Sequence, residues 1–372
     1  MTALTEGAAA EAVREGIAAE AAAVDRERRF PAASLRALGE AGLLGLTVPR
    51  EHGGAGGGLA ALAESCEAVG GACASTGMTY LMHAVTAATV AGGGGARAGE
   101  LLRALAAGRI GTLAFSERGT GAHFYAPELR AARDGDGRLR ISGRKSFVTS
   151  GGHAGLYIVL VQGEEGVDCF ALDGGAEGLS FDGRWEGLGM AGNSSVAMTL
   201  DDVVVGDDDR IGAPGAAGEL VFGVVAPFFL VGLAAVNVGI AGAAAAAATA
   251  HAAARAYADG STLAEVQSVQ HQLADLDIAV RQARLLVREA AALGDAGDAA
   301  ALVAIMEAKV AATEAARAVT ETALEVCGGQ GYTPALPLER HLRDARAGAV
   351  MAPTNGVLRS WIGKALAGLP VP

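Results

Sequence analysis

The residues best equipped for chemistry fall in three short stretches. LAFSERGTGAH (113–123) carries the Ser116 hydroxyl beside a glycine turn, Gly119–Gly121, where backbone N–H groups can approach a ligand closely. GRKSFVTSGG (143–152) sets the Phe147 ring two residues from the Thr149 hydroxyl. CGGQG (327–331) puts Gly328 and Gly329 just after a helical pattern. Together these offer hydrogen-bond donors and a flat apolar wall. Each also has a plainer use, with Ser116 and Thr149 ending strands, Phe147 in the core and the Gly328–Gly331 turn as a Schellman-type helix cap. The acids are as informative by their placement: none occurs after Asp344, and none lies between Leu220 and Ala250.

No metal site is expected, because Cys66, Cys73, Cys169 and Cys327 form no CxxC pair and no ligand spacing with the histidines. Isolated cysteines of this kind read as buried apolar fillers in a reducing cytoplasm. The formal net charge of −12 argues against nucleic acid as the main partner. A local cluster of Arg340, Arg343 and Arg346 remains able to hold a phosphate. The start, MTALTEGAAAEAVREG, lacks the basic head and apolar core of a signal peptide. The uncharged stretch from Leu220 to Ala250 is long enough to span a bilayer. Pro227, Asn237, its Ala and Gly content and the acidic flank at Asp207–Asp209 and Glu219 read instead as a buried bundle helix, with no membrane span.

At 372 residues the chain can bury several cores, and its period changes twice. Residues 1–110 are helical in pattern: Leu35, Leu38, Gly42 and Leu43 share one face, and apolar spacing returns over 59–90 and 101–105. Gly-rich breaks fall at 49–58 and 92–95. Residues 111–212 read as short strands, with a hairpin over 129–142 around Asp134-Gly135-Asp136-Gly137 and further strands at 156–161, 168–173 and 196–205. Residues 213–372 are helical again, over 216–258, 263–294, 298–326 and 353–368. This order gives an α+β protein with a small barrel or sandwich between two helical regions.

The three motifs, with RFP (29–31), VPREHGGAG (48–56), GLGMAGNSSVAMTLDDVVV (187–205) and LAEVQSVQHQLADL (263–276), are collinear over nearly the whole chain. In that order they resemble the acyl-CoA dehydrogenase family, whose T-E-P-G-A-G-S-D, G-x-K-x-[WF]-I-T-N-G and G-G-x-G-[YF]…R-D-[AS] segments they match. The resemblance implies an N-terminal helical domain, a central β domain and a C-terminal four-helix bundle. It also implies FAD as cofactor, with Phe115, Ser116, Gly121, Ala122, Phe147 and Thr149 near the flavin ring. Glu325, Gly328 and Gly329 would receive the adenosine half, often from a neighbouring subunit, hence a homodimer or homotetramer. Gln267 and Thr354 stand where the family also touches the cofactor. Arg343 and Asp344 are expected to form a structural ion pair that fixes a turn.

The chain departs from the family where the chemistry is done. A fatty-acyl dehydrogenase needs a carboxylate to take the proton alpha to the thioester. Ala352 replaces the usual Glu, and Phe229 stands near the alternative position on the first helix of the bundle. Glu219, ten residues earlier, would lie about 15 Å away along a helix. The cofactor grip is thinner too: Ala122 and His123 replace Ser-Asp, Glu325 replaces Gln, and no R-x-x-F-G is found around 256–267. The catalytic residues are left unassigned, with His123 a candidate proton carrier. The expected activity is oxidation of a small oxygenated acyl group on a carrier protein or coenzyme A, similar to the acyl-ACP dehydrogenases of polyketide extender-unit biosynthesis. The alternatives are a flavin-dependent monooxygenase of the same fold and a non-catalytic subunit of a heteromeric dehydrogenase. The electron acceptor stays open.

Overall fold

The computed structural model describes residues 6–371. The first part of the no-signal-peptide reading, residues 1–5, lies outside them. Five helices come first: α1 (Glu6–Glu27), α2 (Ala32–Glu40), α3 (Leu59–Ala72), α4 (Ala74–Gly93) and α5 (Ala98–Ala106). Seven strands follow: β1 (Gly111–Ala114), β2 (Ala131–Arg133), β3 (Leu139–Val148), β4 (Leu156–Gln162), β5 (Val167–Asp173), β6 (Leu179–Asp182) and β7 (Val196–Val205). The chain then returns to helix with α6 (Ala217–Leu220), a π turn (Val221–Val225) and α7 (Ala226–Ala254). It ends with α8 (Gln267–Asp295), α9 (Ala301–Gly331), α10 (Leu338–Val350) and α11 (Asn355–Leu366).

The strands make two sheets, β1-β4-β5 and β2-β3-β7-β6. β1 runs parallel to β4, and the other paired strands of the two sheets run antiparallel. Their inward faces share one core, in which Tyr157, Val159 and Phe170 of the first sheet meet Ile141, Met198 and Leu200 of the second. The expected hairpin forms with Arg133 opposite Leu139, and Asp134 Oδ1 accepts from the N–H groups of Asp136 and Arg138 to close its turn.

The other core lies among the helices, where α7 packs on α3, α8, α9 and α10. Small residues set its closeness. A Cβ on Gly239 of α7 would stand 2.2 Å from the Glu67 carbonyl oxygen of α3, so the two backbones meet only because side chains are missing there. The helix Ala217–Ala254 is apolar enough to cross a membrane, but 61% of its most apolar window is buried inside the molecule, as in a core helix.

Three expectations change. The apolar face drawn through Leu35, Leu38, Gly42 and Leu43 is interrupted, because α2 stops at Glu40 and Gly42 turns left-handed at φ 77°. The segment read as a turn around Arg343 and Asp344 is a helix, α10. The ion pair between those two residues does not form, since successive helix positions point to different faces. Arg343 instead binds Asp25 of α1 through both terminal nitrogens (2.9 and 2.6 Å) and also Glu339.

Candidate active site

One cavity of about 840 Å³ opens between the sheets and the C-terminal helices. Its lining gathers Phe115, Ser116, Gly121, Ala122, Phe147, Thr149 and Thr354, together with Phe229 and Ala352. Gln267, Glu325, Gly328 and Gly329 do not line it; they lie exposed at the start of α8 and the end of α9. Gly328 breaks α9 at φ 53°, as a cap glycine would, and the chain continues to Gly331 before leaving the helix. His123 is exposed, sits edge-on to Tyr125 and stands outside the lining.

A β-bulge places Phe147. Lys145 pairs with Met198 and Val148 with Val196, so Ser146 and Phe147 together oppose one residue of β7. The extra residue keeps Lys145 and Val148 inward and turns Phe147 out, 69% exposed, edge-on to Trp185. Its φ of +54° is uncommon for a residue with a large side chain.

The 115–122 segment is stitched to this bulge. Ser146 N–H donates to the Ser116 carbonyl (2.8 Å), and Lys145 Nζ donates to Glu117 Oε1 (2.5 Å) and to the Leu160 carbonyl (2.6 Å). Glu117 Oε2 accepts from the N–H groups of Glu128 and Leu129. Both charges are buried, and desolvation pushes the Lys145 ammonium below its ordinary value, with the Glu117 partner opposing. This pair was not anticipated; its one sequence signal is the inward register of Lys145 on an alternating strand.

A second seam joins 149–151 to 193–195. The Thr149 and Ser195 hydroxyls lie 3.0 Å apart, Ser150 N–H donates to the Asn193 carbonyl and Ser194 Oγ donates to the Gly151 carbonyl. Ser150, Met190 and Ser194 join Phe147 in the left-handed region, at φ 61°, 49° and 49°. Four such residues on two facing segments store backbone strain beside one cavity, a feature that clusters at ligand sites. Trp185, Met190, Asn193 and Ser195 line the site and were missed in the sequence.

Asp344 anchors the third wall. Its buried Oδ1 accepts from the Met190 N–H at 2.5 Å, and Gly189 lies so close to α10 that a Cβ would stand 2.4 Å from the Arg343 carbonyl oxygen. Burial pushes the Asp344 carboxyl up to about 7; the Met190 N–H opposes this and the Asp25 charge adds to it. Between about pH 4 and 7 the folded chain therefore holds a proton that the unfolded chain releases, so the group lowers stability as pH rises through that window. Asp344→Asn keeps an acceptor for Met190. It is expected to stabilise the protein by something of order 3 kcal/mol at pH 8 and by little near pH 4. Thermal melts of the two proteins across pH check this; parallel curves would refute it.

The cavity suits a large, partly polar aromatic ligand by volume and lining. Among the described residues Ser116, in the lining, makes no side-chain hydrogen bond, and the buried Asn193 Oδ1 has no partner. Glu117 is, among the described residues, the one carboxylate in the lining, and it is bound to Lys145.

Three family models match in sequence order: the acyl-CoA dehydrogenase N-terminal domain over 3–109, middle domain over 112–203 and C-terminal domain over 231–367. The mitochondrial short-chain specific acyl-CoA dehydrogenase of Bos taurus is 32% identical over 347 residues, covering 91% of this chain and 83% of that one. The chain belongs to the acyl-CoA dehydrogenase family. Members are FAD-dependent oxidoreductases. The butyryl-CoA dehydrogenase of Megasphaera elsdenii superposes with a TM-score of 0.91 at 26% identity, over 97% of each chain. FkbI, for biosynthesis of the methoxymalonyl extender unit of a polyketide, superposes with a TM-score of 0.87 at 26% identity, over 97% of this chain and 99% of that one. In this acyl-CoA dehydrogenase family member both positions expected to carry a carboxylate base, 352 and 229, face the cavity as Ala and Phe.

Proposed function

We propose that the chain is an FAD-dependent oxidoreductase that oxidises a small, hydroxyl- or hydrate-bearing acyl group held as a thioester on an acyl carrier protein or coenzyme A. The observation that supports it most is the absence, among the described residues, of any free carboxylate in the lining: Glu117 is taken by Lys145, and Ala352 and Phe229 occupy the base positions. Removing a carbon-bound proton alpha to a thioester needs a positioned base. An O–H proton is easier to lose: as hydride leaves the carbon the hydroxyl becomes strongly acidic, and water or a weak base can take its proton. Bound FAD would supply the hydride acceptor for the carbon being oxidised.

The chain's own part is to hold and orient. The Ser116 and Thr149 hydroxyls would grip the ring edge and Phe147 would wall its face. Phe229 and Ala352 would face the acyl group, and the Thr149 and Ser195 hydroxyls, within hydrogen-bonding distance of each other, belong to the same lining. The likeness to FkbI favours a carrier-bound, oxygenated substrate. Gln267, Glu325, Gly328 and Gly329 would meet the adenosine half of FAD at a subunit boundary. The exposed Tyr332, Val266, Ile278 and Leu285 on α8 and beside these residues agree with a homodimer or homotetramer. Four buried free cysteines suit a cytoplasmic enzyme.

Anaerobic mixing of the FAD-loaded protein with a glyceryl or semialdehyde carrier thioester is expected to bleach the flavin, while butyryl-CoA leaves it oxidised. No bleaching by any oxygenated thioester would refute the reading. Oxygen uptake that depends on supplied reduced flavin would replace it with a monooxygenase. A chain that purifies without cofactor and cannot be loaded would be the non-catalytic subunit.

A further inference from the structure

We propose that Lys309 is a positioning residue whose amine fixes the Met351–Asn355 segment and so sets how Ala352 and Thr354 face the cavity. Lys309 lies on α9 with no exposed surface, and among the described residues it has no carboxylate within ion-pair distance. A buried, unpaired ammonium is strongly disfavoured unless other groups solvate it. Three acceptors do so, and all belong to one five-residue segment: the Pro353 carbonyl (3.0 Å), Asn355 Oδ1 (3.0 Å) and the Met351 carbonyl (3.4 Å). Met351, Ala352 and Thr354 of that segment line the cavity. The segment cannot rotate without breaking a bond to Nζ.

The anchor is braced from below. Asn355 Nδ2 donates to Thr313 Oγ1 and to Glu314 Oε1, both at 2.9 Å, tying the same segment to α9 a second time. Burial pushes Lys309 down to about 7, with the Glu314 charge opposing. Glu314 is the acid facing it from α9; Arg317 of α9 and Arg359 of α11 pair with that acid, and no charged group of α7 or α10 is bonded to Lys309. Opening the segment lets water reach the amine and returns it toward its ordinary value, so the open form binds the proton more tightly than the closed one. The wall is therefore held most firmly above pH 7 and loosens below it.

This role rests on the cavity being the flavin and acyl site, but its first test does not. Amide hydrogen exchange would be measured on the FAD-loaded protein, corrected for intrinsic rates, from pH 6 to 8.5. In Lys309→Met, amides of 350–357 are expected to exchange about tenfold faster at pH 8, while those of 301–326 change less than about twofold. The pH-dependent loosening of 350–357 seen in the parent should vanish. Asn355→Ala, which leaves the amine in place, should loosen the same amides and keep the pH dependence. Unchanged exchange in both variants, a uniform rise through α9, or pH dependence surviving in Lys309→Met would overturn the proposal. In turnover at pH 8, Lys309→Met should lower kcat about tenfold with flavin content retained and lose the parent's decline below pH 7. A parent inert toward every thioester refutes the proposed function and leaves the exchange result standing.

Discussion

Ala352→Glu is expected to turn the protein into a dehydrogenase of short acyl-CoA thioesters. Position 352 lines the cavity, on a segment already fixed by Lys309, and no other free carboxylate competes there. A positioned general base contributes roughly 10²–10⁴-fold to proton abstraction. The variant, loaded with FAD and mixed anaerobically with butyryl-CoA, should bleach its flavin at least about 100-fold faster than the parent. A loaded variant that binds butyryl-CoA yet bleaches no faster would show that the missing carboxylate is not what separates this chain from its butyryl-CoA dehydrogenase relatives.

Lys145→Met should be among the most damaging single changes outside the cavity. It leaves the Glu117 carboxylate buried, still accepting from two backbone N–H groups but stripped of its countercharge. Breaking one side of a buried pair costs about 3–5 kcal/mol. The damage should fall on the 115–122 segment, so FAD retention should drop together with the melting temperature. Adding Glu117→Gln to Lys145→Met should recover part of both, because the orphaned charge is removed. Melting curves and bound-flavin absorbance of the single and double variants decide this; a double variant worse than the single would contradict it.

The sequence made the site legible where its residues are local. Ser116, Gly121, Phe147 and Thr149 sit in short motifs, and the fold brings those motifs to one cavity. The vacancy at Ala352 could be read the same way, because a missing acid is visible in a chain that has none after Asp344. What escaped depends on distance or on unmarked backbone. Glu117 and Lys145 are 28 positions apart, and only the bulged register of β3 brings them together. Met190 and Ser194 adopt left-handed backbone without the glycine that would have announced it. α10 was read as a turn although Leu338, His341, Ala345 and Gly348 carry a buried helical stripe, and with the helix came the wrong partner for Arg343. Gln267, Gly328 and Gly329 lie at the surface, where one chain by itself offers no enclosing wall.

Everything chemical turns on whether this cavity can take a proton from carbon. The direct measurement is deuterium incorporation at C2 of butyryl-CoA incubated in D2O with the FAD-loaded protein, followed by mass spectrometry. With Glu117 locked to Lys145 and Ala and Phe at the two base positions, C2 should exchange no faster than in buffer, while Ala352→Glu should label it. Rapid C2 labelling by the parent protein would mean that a base reaches the substrate from somewhere else, and the assignment to oxygenated acyl groups would fall.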